Sequence, residues 1–248
     1  MTSTILYTQN EIDNIACIDA VINGNLDKLK LLHQNKSGPF GPNNKDNFLL
    51  DRITPSPIGR YPFTSGLNAL FSLAAKHGHL HILQWTLECD LFHELNESTC
   101  EDAAFGGRLT ILQWLYEHNC PFDIRTYLGA AKAGHVHILQ WVHSIYRKTK
   151  GDKGYDWCLK QILCLHAAKC GHLEALMWLR RRGFSWDEQA CEYAAKNGYL
   201  EVLKWLRQNG CPWNKQRCEA VVQKGYSELS QWIRDQPADD RELFNWLY

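Results

Sequence analysis

The sequence predicts an all-α solenoid of stacked helix-turn-helix repeats. Three observations predict it. Trp85, Trp114, Trp141, Trp178, Trp205 and Trp232 each stand seven residues after a glycine, namely Gly78, Gly107, Gly134, Gly171, Gly198 and Gly225. Those glycines recur at intervals of 29, 27, 37, 27 and 27 residues, so the unit is 27 residues, lengthened once by two and once by ten. On both sides of each glycine the apolar residues follow a helical period. A repeat of this length marks an architecture in which no unit buries its apolar face alone and stacking supplies the core.

With the glycine as position zero, the elements can be justified in chain order. The first copy centres on Gly24, with Ala20 at minus four, Leu26, Leu29 and Leu32 after it, and Leu31 in place of the tryptophan. At minus eleven stand Asp13, Asn96, Asp123, Asp187 and Asn214, short polar residues suited to accept from the orphan N–H groups of a helix start. A first helix follows, apolar at minus seven, four and three, as in Cys191, Ala194 and Ala195. The glycine breaks it. A second helix is apolar at plus two, four, five, seven and eight (Leu200, Val202, Leu203, Trp205, Leu206) and polar at three, six and ten (Glu201, Lys204, Gln208). Bulky tryptophans compensate for thin units, and Phe122, Trp186 and Trp213 at plus fifteen are expected to pack between repeats.

Seven copies span residues 12–236 as one solenoid. Residues 36–66 interrupt it. Asp51 occupies the place where a glycine is due, and Pro39, Pro42, Pro55, Pro57 and Pro62 with Gly38, Gly41, Gly59 and Gly66 exclude two consecutive full helices there. A Pro/Gly-rich insertion or degenerate repeat is expected, with one helical turn over 47–51 and with Thr54 and Ser56 as candidate phosphoacceptors. A basic insertion, Arg147 to Gly154, reads as an exposed loop. Pro237 ends the last copy, and residues 237–248 read as a C-terminal capping helix.

The segment AAKNGYLEVLKWLRQNGCPWN, Ala194 to Asn214, resembles the ankyrin repeat, whose core reads like AAxxGHLEVVKLLLxxGADVN. Gly78-His79, Gly134-His135 and Gly171-His172 keep its Gly-His pair. The tryptophan and the Cys-Pro-Trp run are similar to the short ankyrin-like arrays of amoebae and of large DNA viruses that infect protists. The units fall short of the usual length of about 33 residues, and Thr-Pro-Leu-His is absent, its nearest counterpart being Ala69-Leu70-Phe71-Ser72. The β-hairpin fingers are therefore expected to be reduced or absent. A leucine-rich repeat is rejected, because Ala-Ala-x-x-Gly and the paired Trp114-Leu115 demand helical period and the diagnostic Asn is out of place. The resemblance implies a protein-protein interaction scaffold or adaptor without catalytic activity. Two alternatives follow from it: the substrate-recognition part of a ubiquitin-ligase adaptor, for which the eleven residues before the first repeat leave no room for an F-box, and a structural or packaged component.

Composition bounds the partners. The 27 basic and 27 acidic residues cancel, which disfavours a whole-surface grip on nucleic acid or anionic membrane. No apolar run reaches a membrane span, and Glu11, Asp13 and Asp19 replace a signal-peptide core, so a monomeric cytoplasmic protein (host cytoplasm if viral) is expected, with the nucleus open. Cys17, Cys100, Cys164, Cys191 and Cys218 share minus seven, and Cys120 and Cys211 share plus thirteen. Equivalent residues on stacked helices lie about 8–10 Å apart, beyond the roughly 7 Å limit for a disulfide, so these read as small core residues. His77, His79 and His81 flank a turn and a polar stripe and read as surface residues. No catalytic, metal or cofactor motif is found, and none of these groups is expected. One patterned surface remains. On the first helices the exposed side is expected at minus six, five, two and one, and minus two reads Lys76, Phe105, Lys132, Lys169, Lys196 and Gln223. Lys76, Phe105, Lys132, Lys169, Tyr193 and Lys196 are the candidate protein-binding residues, facing an acidic partner, or nucleic acid as the alternative.

Overall fold

Gly24, Gly78, Gly107, Gly134, Gly171, Gly198 and Gly225 all take positive φ, between 69° and 120°. In the first six copies the residue after the glycine donates its backbone N–H back to the carbonyl at minus four, as His79 does to Ala74 and Tyr199 to Ala194, both at 2.9 Å. That six-to-one bond closes a Schellman turn. The turn ends one helix and starts another two residues on. A second turn of the same kind follows the second helix, with Lys36, Asn119, Gly183 and Gly210 in the left-handed region and, for example, Cys120 N–H donating to Leu115.

The computed structural model describes residues 9–37, 40, 66–89, 91, 97–150, 157–222 and 225–237. Among them are fourteen helices and no strand. They pair into seven hairpins: α1 (Gln9–Ile22) with α2 (Leu26–Gln34), α3 (Gly66–His77) with α4 (Leu80–Glu88), α5 (Glu97–Phe105) with α6 (Leu109–Glu117), α7 (Ile124–Ala133) with α8 (Val136–Lys150), α9 (Trp157–Lys169) with α10 (Leu173–Arg181), α11 (Glu188–Lys196) with α12 (Leu200–Gln208), and α13 (Lys215–Val221) with α14 (Ser227–Asp235). The chain forms two compact units, Met1–Arg125 and Thr126–Tyr248. In the first, α1 packs on α3 and α3 on α5; in the second, α9 packs on α11 and α11 on α13. Each unit is thus a row of first helices carrying a row of second helices. The fold is the expected all-α, ankyrin-like stack.

The core follows the register. At minus seven Cys17, Phe71, Cys100, Tyr127, Cys164, Cys191 and Cys218 are all buried, and the Ala pairs at minus four and three of the third to sixth copies are 0% exposed. From the second helices come positions four, five and eight, such as Val202, Leu203 and Leu206. The tryptophans at plus seven lie at the edge of this core. Trp85 is buried, while Trp114, Trp141, Trp178, Trp205 and Trp232 are half-buried.

Several expectations need correction. Asp13 does not cap α1, which already starts at Gln9; its carboxylate accepts from the Gln9 amide at 2.9 Å. Asp123, Asp187 and Asn214 do accept the expected backbone N–H groups, from Arg125, Gln189 and Arg217. Arg147–Lys150 are not loop, because α8 runs on through them. The expected exposed side is narrower than minus six, five, two and one: Ile18 and Ser72 at minus six, and Leu73, Asp102 and Gly129 at minus five, are buried, because these faces also turn toward the stack. Asn96, Gln223, the proline-rich 41–65 and the cap over 238–248 lie outside the described residues. From the insertion, Phe40 stands edge-on to His33 and Trp85, at 5.2 and 6.3 Å between ring centres.

Candidate interaction surface

Copies are joined by side chains that one lends to the next. The residue at plus one reaches over the glycine of the preceding copy. His79 Nε2 donates to the Ile22 carbonyl at 2.9 Å, Arg108 Nε to that of Lys76 at 3.1 Å, and His172 Nε2 to that of Lys132 at 2.9 Å. Each accepting carbonyl is at minus two, in the last turn of a first helix, where carbonyls lack helical partners. Only an N–H can serve a carbonyl, so the bonded histidine nitrogen carries a proton. The next copy's Asn197 does the same to Lys169 from minus one, at 2.7 Å. In the first copy Asn25 instead caps its own helix, accepting from Lys28 N–H. His81 also donates to a preceding carbonyl, that of Gly24, at 3.0 Å. The histidine cluster is thereby committed in part to joining repeats, a role the Gly-His spacing hinted at and sequence reasoning did not assign.

A second set of contacts runs along the outer side. Arg180 at plus nine donates to the Phe184 carbonyl and lies 4.2 Å over Trp186, which meets Trp205 of the next copy at 5.5 Å. One copy later Arg207 donates to the Cys211 carbonyl, lies 4.7 Å over Trp213, and Trp213 meets Trp232 at 6.3 Å. Each guanidinium is attracted to the negative ring face. Trp186 and Trp213 at plus fifteen are therefore partners of the next copy's tryptophan, while Phe122 meets Tyr116 of its own copy at 6.1 Å.

What remains is the face of the first helices at minus two, joined at minus five by His166 and Tyr193. In the first unit the Lys76 ammonium lies 5.1 Å from the centre of the Phe105 ring. In the second, Lys169 lies 5.0 Å from the centre of Tyr193. Lys169 and Lys196 are exposed; Lys76, Phe105, Lys132 and Tyr193 are half-buried. The first unit mixes its charges, with Lys28 on Asp19 at 2.9 Å and Arg125 bridging Glu97 and Asp123. In the second, Glu192 at minus six of the sixth copy is taken by Arg217 at 3.0 Å, and Glu219 at minus six of the seventh is exposed. Sequence reasoning missed His166, at minus five between Lys132 and Lys169. Burial first, then those two lysines, push its imidazole down to about 4. In the first unit His77 is lowered by burial and by Lys76, His79 and Arg108. For both histidines burial is the larger cause and the neighbouring positive charges add to it.

His166 makes a pH prediction. Its folded value lies below the ordinary 6.5, so the unfolded chain binds the extra proton between those values. The protein will lose stability as pH falls from about 6.5 toward 4, and His166→Gln will flatten part of that slope in urea titrations at several pH values. An unchanged slope would refute it.

The family model for ankyrin repeats (many copies) matches residues 164–207. By structure the chain is similar to the ankyrin repeat domain of human ASB11, with a TM-score of 0.51 and 15% identity, over 89% of this chain and 98% of that one. No curated protein matches. The likeness to the solved domain is one of fold. No described helix is long and apolar enough to cross a membrane.

Proposed function

We propose that this chain is a non-catalytic interaction scaffold whose second unit docks an acidic, extended segment of a partner protein along the face of its first helices at minus two. Ankyrin repeats generally mediate protein-protein contacts, and the match over 164–207 falls within that unit. The observation that carries the reading is the register of Lys132, Lys169 and Lys196 at minus two of successive first helices, with His166 held neutral among them. Stacked helices repeat about every 10 Å. A segment in the polyproline II conformation rises about 3.1 Å per residue with three residues per turn, so carboxylates three residues apart lie on one side, about 9 Å apart, and match the lysines. Tyr193 offers an aromatic face beside them.

The test uses a short glutamate-rich peptide with a fluorescent label, measured by anisotropy at physiological ionic strength. Replacing Lys132, Lys169 and Lys196 together by glutamate will weaken binding by at least about tenfold, since like charges across an interface are strongly disfavoured. Unchanged affinity would refute the assignment to this face. Tighter binding of single-stranded DNA than of the peptide, with a steep salt dependence, would favour the nucleic-acid reading instead.

A further inference from the structure

Cysteines at minus seven of successive copies are held apart by the helix spacing, but that comparison passes over a nearer neighbour. Within one copy, the residue at plus thirteen turns back from the second helix onto minus seven of the first. In the third copy these are Cys100 and Cys120, whose sulfurs lie 3.1 Å apart. In the sixth they are Cys191 and Cys211, again joined by a thiol hydrogen bond, and Cys211 Sγ donates in turn to the Asp187 carbonyl at 3.3 Å. All four are buried. Elsewhere the register pairs unlike residues: Phe71 with Leu91, and Cys164 with Phe184. Two copies therefore bring two thiols together where the second, fourth and fifth copies use an aromatic ring and the first pairs Cys17 with Ser37.

We propose that Cys100–Cys120 and Cys191–Cys211 are two latent intramolecular disulfide sites, closed by peroxide, each stapling the loop after a second helix to the first helix of the same repeat. An S–S bond of about 2.0 Å needs the Cys100 and Cys120 sulfurs to approach by only about 1 Å. The sequence is balanced in two steps. Peroxide oxidises the plus-thirteen thiol to a sulfenic acid as its O–O bond breaks and one water leaves. The minus-seven sulfur then attacks that sulfur, the S–S bond forms, and the hydroxyl departs with the second thiol proton as another water. Together the sulfurs lose two electrons and peroxide gains them. Cys100 and Cys191 are held protonated, each by the bond to its partner thiol and then by burial, so the reaction proceeds through lifting of the short plus-thirteen loop. It will be slower than oxidation of the exposed Cys89.

The test treats the full-length protein with excess hydrogen peroxide in native buffer, removes peroxide with catalase, alkylates remaining thiols in denaturant and maps the digest by mass spectrometry. Peptides linked 100 to 120 and 191 to 211, each lighter by two hydrogens and released by dithiothreitol, are the expected result. Cys120→Ser and Cys211→Ser will each abolish only their own link, and the oxidised wild type will melt at a higher temperature than the reduced form. The wild-type map stands even if a serine variant fails to fold. Recovery of these four cysteines as alkylated thiols, as sulfinic acids or in scrambled links would overturn the proposal.

Discussion

Replacing Gly106 by alanine will destabilise the first unit by roughly 3 kcal/mol, the upper end of what overpacking costs. This glycine sits at minus one, and its φ lies outside the left-handed region, so the turn does not require it. Its neighbours at that register carry side chains: Asn23, His77, Ala133, Cys170 and Asn197. What requires it is α3. A Cβ on Gly106 would collide with the backbone carbonyl of Lys76, both its oxygen and its carbon. A flexible side chain could swing aside, but this carbonyl belongs to a helix and already accepts from Arg108. Gly183 is the control. It has φ +83° and nothing near its Cβ, so Gly183→Ala costs only the left-handed strain of about 1–2 kcal/mol. Urea denaturation of both variants, with hydrogen exchange to locate the loss in α3 to α6, decides it. A smaller loss for Gly106→Ala than for Gly183→Ala would show that the helices can part at little cost.

Tyr127→Ala will cost the second unit about 3–5 kcal/mol, the range for truncating a large buried aromatic. The ring is 0% exposed at a position where five other copies carry cysteine. The reason lies in α8, which continues past plus thirteen, so that Arg147 stays on the helix instead of returning to minus seven. Tyr127 is large enough to fill that place, packing on Tyr146 and Phe184 at 6.0 and 6.2 Å and meeting His143 Nδ1 through its hydroxyl at 3.0 Å. Tyr127→Phe keeps the volume and removes the hydrogen bond, for a loss of about 1 kcal/mol. Tyr127→Cys restores the residue common at this register, yet it will fall between the two. Thermal and urea unfolding of the three variants give the order; a cysteine variant as stable as wild type would mean that the site collapses around the smaller side chain.

The candidate surface was only partly legible. The lysines could be placed at minus two by counting, because a helix fixes which residues share a face. Their surroundings could not. That Lys76 leans on Phe105, that Lys169 leans on Tyr193, and that His166 stands under two ammonium groups depend on how far one copy is offset from the next. The cysteines teach the same lesson: comparing like positions in successive copies hid the pair formed by unlike positions within a copy.

The sequence by itself determined the 27-residue hairpin, the turn glycines and the core at minus seven, four and three, because these follow from local periodicity and from backbone conformations that few residues adopt. The tertiary structure decided what each copy lends its neighbour: the plus-one donor to the carbonyl at minus two, the plus-fifteen ring to the next tryptophan, and the glycine demanded at 106 by a helix of another repeat. Those contacts join residues far apart in the chain. Their geometry is set by the rise and rotation of the stack, which no single repeat encodes.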